Sequence, residues 1–249
     1  MRAPLTSADN TETGHGYIYD VPEGVDCCIV LGGDGTMLQA AASVFGRDLP
    51  LIGVNLGMLG YLAEVEKDGI ETALDRLLSG DYDIRDRMMI RGVFGLAPGE
   101  VHHSLNDIVI ARCSSLRVIP FNIYVNGLFL NRYEADGIII STPTGSTGYN
   151  MSAGGPVTEP GSRVILMTPI CPHTMGSRTI VLSPEDLVRV ELADDRGTEG
   201  LYVETTFDGM YHRKLYPGES IDITTSSHVT KIVRLNSESF LETLHRKLK

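Results

Sequence analysis

The chain is poor in cysteine, in basic residues and in long apolar runs, and each shortage narrows what it can be. Its four cysteines, Cys27, Cys28, Cys113 and Cys171, fall in no C-x-x-C spacing. They read as buried, reduced thiols of a cytoplasmic protein rather than as a disulfide framework. The seven histidines also lack ligand spacing. His102 and His103 are neighbours that point to opposite faces of a strand, and Cys171-Pro172-His173 is too close-set for a two-ligand clamp. No resident metal site is expected. Lys and Arg number 21 against 32 Asp and Glu, for a net charge of −11. That balance excludes a broad basic face for nucleic acid or for an anionic membrane surface. It permits a phosphorylated ligand, whose charge Mg2+, local arginines and backbone N–H groups can offset. No apolar run approaches the roughly 18 residues that span a bilayer, and residues 1–20 carry no basic-then-apolar leader. Internal repeats and low-complexity linkers are missing too.

What is present changes texture near residue 80. The 249 residues, 42% hydrophobic and 21% charged, suffice for one large domain or two modest ones. The continuous apolar run over 26–31 predicts a parallel strand covered on both faces. A glycine turn follows, then a helix over 36–45 that Gly46 ends, then a buried strand over 50–55. Strand, helix and strand make a βαβ unit. A further helix over 69–78 sets Ile70, Ala73, Leu74 and Leu77 on one side. From 88 to 233 short strand-like runs dominate. Asn126-Gly127 predicts a type I′ hairpin between strands at 122–125 and 128–130. Further strands are expected at 164–167, 180–182, 187–192, 200–207, 221–224 and 229–235, with one helix over 144–153. A terminal helix over 238–247 turns Phe240, Leu241 and Leu244 inward. The expected fold is α/β plus all-β: a Rossmann-like α/β domain over 1–84, a β-sandwich over 85–235, and a C-terminal helix over 236–249 packing back on the first domain.

Four stretches carry chemistry. In Gly32-Gly33-Asp34-Gly35-Thr36, glycines after a buried strand let the backbone turn sharply and approach a ligand, and the following helix aims N–H groups at the turn. Asp34 there can accept a hydroxyl proton or bind Mg2+. The stretch is neither a Walker A loop nor a dinucleotide fingerprint, and an ordinary Asp-Gly turn is the lesser alternative. Asn55-Leu56-Gly57-Met58-Leu59-Gly60-Tyr61-Leu62 leaves the carboxyl end of the second strand, where α/β sheets bind ligands. Leu59, Tyr61 and Leu62 could wall an aromatic ring, or the stretch could simply connect. Leu105-Asn106-Asp107 sets an amide beside a carboxylate, suited to paired ribose hydroxyls or to a turn. The longest stretch runs from Asp136-Gly137 through Ser141-Thr142-Pro143-Thr144-Gly145-Ser146-Thr147-Gly148-Tyr149 to Pro156. Its hydroxyls and glycines would make a weak core, which leaves a nucleotide-reading segment or a surface loop.

Together these stretches resemble the NAD kinase family over about 26–235. The Gly-Gly-Asp-Gly-Thr turn also occurs in lipid kinases, with relatives in phosphofructokinases. The block at 137–149 and Thr168-Pro169-Ile170-Cys171-Pro172-His173, followed by Arg178, are more specific and have no role in a lipid kinase. The resemblance implies transfer of a terminal phosphoryl group from ATP or polyphosphate to the 2′-hydroxyl of the adenosine ribose of NAD, with Mg2+ as the donor's counter-ion. It implies that Asp34 activates that hydroxyl, that Asn106 and Asp107 hold the ribose, and that Gly32, Gly33, Gly35 and Thr36 shape the donor loop. Thr144, Thr147 and Tyr149 would line the adenine and nicotinamide pockets, and Asp136 would meet the nicotinamide end. It also implies a homo-oligomer, a dimer or tetramer, whose nicotinamide pocket borrows residues from a neighbouring subunit. Nothing in it calls for nucleic acid or a membrane.

Against the family's pattern, Asn106-Asp107 stands for Asn-Glu, Gly148 for Ala, and Asp208-Gly209-Met210 for Asp-Gly-Gln, so no role is carried to Asp208. Residues 6–16 resemble neither the strand nor the helix expected ahead of the glycine turn. A front shortened in this way implies an exposed sheet edge and raises a second reading, a catalytically weak NAD-binding protein of the same fold.

Overall fold

In the computed structural model, which describes residues 19–57, 60–113, 117–173, 176–195, 198, 200–235 and 240–247, the apolar run ahead of the glycine turn becomes β1 (Cys28–Leu31). The chain continues through α1 (Asp34–Ser43), β2 (Leu51–Asn55), β3 (Val65–Glu66) and α2 (Ile70–Ser79). These elements belong to a first unit, Met1–Arg87 with His228–Lys249. β1 lies parallel to β2 and β2 parallel to β3, the βαβ pattern expected of a run, helix and run. Every residue of β2 is buried, and Ile52 and Val54 pack with Val65, Ala73, Val233 and Leu235. β1 departs from its expected double coverage: Ile29 is 41% and Leu31 54% exposed, because no described element lies over that face. The shortened front expected at 6–16 lies outside the described residues.

The second unit, Met88–Ser227, is entered along β4 (Asp83–Phe94). It contains β5 (Ala97–Ser104), β6 (Asp107–Ala111), β7 (Ile119–Val125), β8 (Leu128–Ala135), β9 (Gly137–Ser141), α3 (Tyr149–Ser152), β10 (Ile165–Ile170), β11 (Ile180–Leu182), β12 (Val188–Leu192), β13 (Val203–Phe207) and β14 (Tyr211–Leu215). It is left along β15 (Ser220–Arg234). One of its sheets has the order β11-β10-β9-β6-β13-β14; in the other, β15, β12, β7 and β8 are successive neighbours and β4 pairs with β15 and β5. Ile108, Ile110, Ile138, Ile140 and Met167 of the first sheet meet Ile90, Phe121, Ile123, Val190 and Ile221 of the second in one core. Inward residues alternate along each strand, as a sandwich requires. The expected fold class, α/β followed by a β-sandwich, therefore holds. The hairpin β7–β8 turns at Asn126 (φ 52°) and Gly127 (φ 79°), the positive pair a type I′ turn needs.

Several elements differ from expectation for local reasons. The two strands expected at 221–224 and 229–235 are one, β15, since no Gly or Pro interrupts Thr224 to Val229. The chain accordingly returns to the first unit inside β15 at His228 rather than at residue 236, and Ile232 pairs parallel with Leu51 of β2. The helix expected over 144–153 breaks into a 3-10 turn, Gly145–Thr147, and α3, with Gly148 (φ −93°, ψ −132°) outside the helical region between them. α1 starts two residues early, at Asp34, with Gly33 as its N-cap. The C-terminal helix, α4 (Phe240–Lys247), half-buries Phe240 and Leu244 but leaves Leu241 69% exposed. Cys113 and Cys171 are exposed thiols rather than buried ones, because both stand on connections beyond strand ends. Among the described residues no helix is long and apolar enough to cross a membrane.

Gly53, in the middle of β2, is fixed by packing: a Cβ there would lie 2.7 Å from Ala63 Cα and 2.9 Å from Met37 Sδ. Gly53→Ala should lower unfolding stability by about 1–3 kcal/mol, the range for overpacking a dense core. Urea unfolding checks this, and an unchanged midpoint would show that the site has room.

Candidate functional site

The first part of the site is built on the turn between β1 and α1. Gly32 donates its N–H to Val54 O at 2.9 Å, drawing the turn onto β2. A Cβ on Gly32 would sit 2.3 Å from Thr36 Oγ1, so the turn closes this tightly only without a side chain. Asp34 is the first residue of α1, where the helix dipole favours a negative charge. Both carboxylate oxygens are held: Tyr61 N–H donates to Oδ2 at 2.8 Å and Leu62 N–H to Oδ1 at 2.9 Å. Gly60 makes this possible, since a Cβ there would fall 1.9 Å from Asp34 Oδ1. The loop that left β2 therefore serves Asp34 through its backbone. Asn55 stiffens the start of that loop, donating from Nδ2 to Gly57 O at 3.0 Å and accepting Gly57 N–H at 3.2 Å. Met58 and Leu59 lie outside the described residues. Leu62 is buried, so it walls no ligand ring, whereas Tyr61 is half-exposed.

The second part lies within the sandwich unit, where β6 begins. Leu105, Asn106 and Asp107 all point their N–H groups at the carboxylate of Asp208, at 2.7, 2.8 and 3.1 Å. Asp208 N–H in turn donates to Asp107 O at 3.1 Å. Asp208 occupies the left-handed region at φ 50° in the three-residue turn between β13 and β14, a conformation Asp tolerates. Burial pushes its carboxyl up to about 6, against the lowering effect of the three N–H groups. Burial also pushes Asp107 up to about 7, with the nearby Asp208 charge adding to the rise. Two carboxyls in one dry pocket resist losing both protons.

The hydroxyl-rich segment closes on the same loop. Thr142 Oγ1 donates to Leu105 O at 2.6 Å, and Thr142 N–H donates to Asn106 O at 2.8 Å. Gly145 N–H donates to Thr142 Oγ1 at 3.1 Å, and a Cβ on Gly145 would lie 2.2 Å from Asn106 O. Asn106 Oδ1 and Thr144 Oγ1 are buried here without a hydrogen-bond partner among the described residues, which is the state of groups that a polar ligand satisfies. A Cβ on Gly148 would lie 3.3 Å from Gly145 O, so alanine fits there with a slight shift. Asn150 ties α3 to β10: it accepts from Thr168 Oγ1 at 2.6 Å and donates to Ser146 O and Pro156 O. Thr147 Oγ1 donates back to Thr144 O at 3.4 Å, and Tyr149 is 48% exposed.

The structure thus gathers Asn106, Asp107, Thr144 and Gly145 in one cluster, with Thr147 and Tyr149 following it in sequence. Asp136 stands apart, at the other end of β9. Asp107 is opposite Ser141 and Ala111 opposite Gly137, which separates the ends by roughly 14 Å of strand at about 3.4 Å per residue. Asp136 is engaged there with Arg112 Nη2 at 2.8 Å. Asp34, Gly32, Gly33, Gly35 and Thr36 form the separate cluster of the first unit. Sequence reasoning missed Asp208 and the backbone of Tyr61 and Leu62. The Asp-Gly after a predicted strand was a visible signal for Asp208, but nothing local to residues 60–62 announces their N–H groups.

A carboxylate fixed in a glycine turn at a helix start, and a sandwich whose hydroxyl loop holds unpartnered buried polar atoms, suit the binding of a polar, phosphorylated ligand. The family model described as ATP-NAD kinase C-terminal domain matches residues 105–235, and that described as ATP-NAD kinase N-terminal domain matches 5–82. The NAD kinase of Lachnospira eligens is 41% identical over 239 residues, covering 92% of this chain and 82% of that protein. Among solved structures, yeast NADH kinase complexed with NADH superposes with a TM-score of 0.82 at 27% identity, over 90% of this chain and 66% of that one. An NAD kinase from Archaeoglobus fulgidus in complex with ATP gives 0.75 at 26% identity, over 90% and 82%. The chain belongs to the NAD kinase family.

The Asp107–Asp208 pair makes a pH prediction. Both carboxyls sit above the ordinary value of 3.8, so between about pH 4 and 7 the folded state holds more protons than the unfolded one. Stability from this pair is full below that window and is lost as pH rises through it. Asp107→Asn should therefore be more stable than the parent at pH 8, by about 1–3 kcal/mol, and no more stable at pH 4. Thermal melts of both proteins across that range test it; parallel curves would reject it.

Proposed function

We propose that the chain phosphorylates the 2′-hydroxyl of the adenosine ribose of NAD, with MgATP or polyphosphate as donor, to give NADP. The observation that carries this reading is the Asp34 carboxylate, held through both oxygens at the head of α1. A fixed carboxylate can take the hydroxyl proton as the ribose oxygen attacks the terminal phosphorus. The new O–P bond forms as the bond to the leaving phosphate breaks, and the proton passes from Asp34 to solvent. Holding the acceptor is the role we give to Asn106, Asp107 and Thr144, whose buried Asn106 Oδ1 and Thr144 Oγ1 lack partners among the described residues. Asp107 is a methylene shorter than glutamate, but burial, with the Asp208 charge adding to it, pushes its carboxyl up to about 7, so that a fraction of it is protonated near neutrality and can donate as well as accept.

Mg2+ enters this scheme with the donor. Among the described residues no group of three or more His, Cys, Asp or Glu could hold a metal. Mg2+ would be held by the donor's phosphate oxygens and by water, which leaves Asp34 to take the hydroxyl proton. We assign Gly32, Gly33, Gly35 and Thr36 to the donor loop; Gly32 N–H is committed to Val54 O and Thr36 N–H to Gly33 O, so other N–H groups at the start of α1 would meet the phosphate. Asp136, with Thr147 and Tyr149, is assigned to the nicotinamide and adenine ends. By resemblance to the family we assign the reaction to the cytoplasm and the chain to a homo-oligomer whose neighbouring subunit completes the nicotinamide pocket. Light scattering of the purified chain should read a dimer or tetramer, and a monomer at micromolar concentration would discard that assignment.

Asp34→Asn keeps one acceptor for the loop N–H groups but removes the base. It should cut kcat for NADP formation by about 100- to 10,000-fold while NAD affinity stays within a few-fold. Steady-state assay with MgATP and calorimetric NAD binding measure the two. A parent chain that binds NAD but forms no NADP with either donor would instead establish the NAD-binding reading.

A further inference from the structure

The last turn of α4 carries His245, Arg246 and Lys247. Several basic side chains of the first unit pair with carboxylates, Arg76 with Asp81, Lys231 with Asp48, Arg234 with Glu64 and Arg246 with Glu66, and Arg47 binds the carbonyls of Val21 and Pro22. Lys247 meets an aromatic ring instead. Its Nζ lies 3.9 Å from the centroid of the Tyr61 ring, and no carboxylate among the described residues is within ion-pair distance of it. Tyr61 is the residue whose N–H holds Asp34 Oδ2. The Asp34 charge reaches both groups: it adds to the rise that burial causes in the Tyr61 phenol, and it opposes the fall that burial causes in Lys247. Lys247 is thus a partly desolvated ammonium on an aromatic face, near the Asp34 turn but not neutralised there. The aromatic face fixes where the charge sits without cancelling it.

We propose that Lys247 binds the phosphate chain of the donor at the Asp34 turn, so that α4 is part of the donor site. This rests on the kinase reading, in which phosphate is delivered to that turn. An ammonium held on one side and N–H groups of the glycine turn on the other would grip a triphosphate or polyphosphate from two directions. The charge also offsets what builds up on the transferring phosphoryl oxygens, which would make Lys247 a catalytic residue as well as a binding one.

Lys247→Met keeps the stem and most of the contact with Tyr61 while deleting the charge; Lys247→Arg keeps the charge. Calorimetric titration with MgATP and with inorganic tripolyphosphate should show Lys247→Met binding both about ten- to a hundredfold more weakly, the loss expected of one charge-assisted contact. KM for MgATP should rise in parallel, KM for NAD should stay within twofold, and Lys247→Arg should restore most of the affinity. Unaltered binding of both phosphates overturns the proposal, as does a loss confined to MgATP, which would place the contact on the nucleoside. A Lys247→Met protein that melts lower and weakens NAD and donor alike would make Lys247 a tether for α4 and also overturn it. A parent chain that binds both phosphates through Lys247 yet forms no NADP would refute the kinase reading and leave this site standing.

Discussion

Everything in the first unit that bears on chemistry depends on the contact between the Asp34 carboxylate and the backbone at residues 60–62. Two N–H groups orient the carboxylate at 2.8 and 2.9 Å, and the missing side chain of Gly60 gives it room. The same contact joins α1 to the loop leaving β2. Orientation of the carboxylate and local packing are therefore one interaction. A carboxylate placed this way needs no movement of its own to present its charge, as a preorganised site requires.

The sandwich unit solves a related problem in the opposite way. There a carboxylate is the organiser rather than the organised group: Asp208 gathers three successive N–H groups and so sets the course of Leu105, Asn106 and Asp107. The gain is a loop whose side chains are aimed. The cost is a second buried carboxyl beside Asp107: burial raises the proton affinity of both, and the Asp208 charge adds to the rise at Asp107. Sites that bind polar ligands commonly hold such strain, because the groups that serve a ligand are ill-served without one.

Much of the fold was legible because hydrophobic period and turn residues agree. The run ahead of Gly32, the buried β2 and the Asn126-Gly127 hairpin follow from local pattern. What was not legible lay where tertiary contact decides. The polar stretch Thr224 to Val229 reads as a break, yet it stays extended because its neighbours in β15 are paired on both sides of it. Residues 144–153 have helix-like composition, but the hydrogen bonds of Thr142, Gly145 and Asn150 to distant backbone hold the segment in a tighter, interrupted form. Of the candidate site, Asp34, Asn106, Asp107 and Thr144 were visible as chemistry-bearing residues in glycine- or hydroxyl-rich surroundings. Asp208 was visible only as a turn, since a carboxylate that serves three remote N–H groups leaves no trace in its own neighbourhood. Ile29 and Leu31 show the converse limit, an apolar run whose coverage cannot be read from the run itself.

The course of β15 has a consequence for how the protein is made. The second unit is one continuous stretch, Met88–Ser227, whereas the first is assembled from Met1–Arg87 and His228–Lys249. On a ribosome the sandwich can bury its whole core while the first unit still lacks Ile232 to pair with Leu51, and Val233 and Leu235 to fill the space beside Ile52 and Val54. At about 5–20 residues per second, the earlier-made segment waits about 7–30 seconds for its missing strand. The order of synthesis is thus the reverse of the order of completion, and the exposed edge of β2 is the surface that a chaperone would have to shield in the interval.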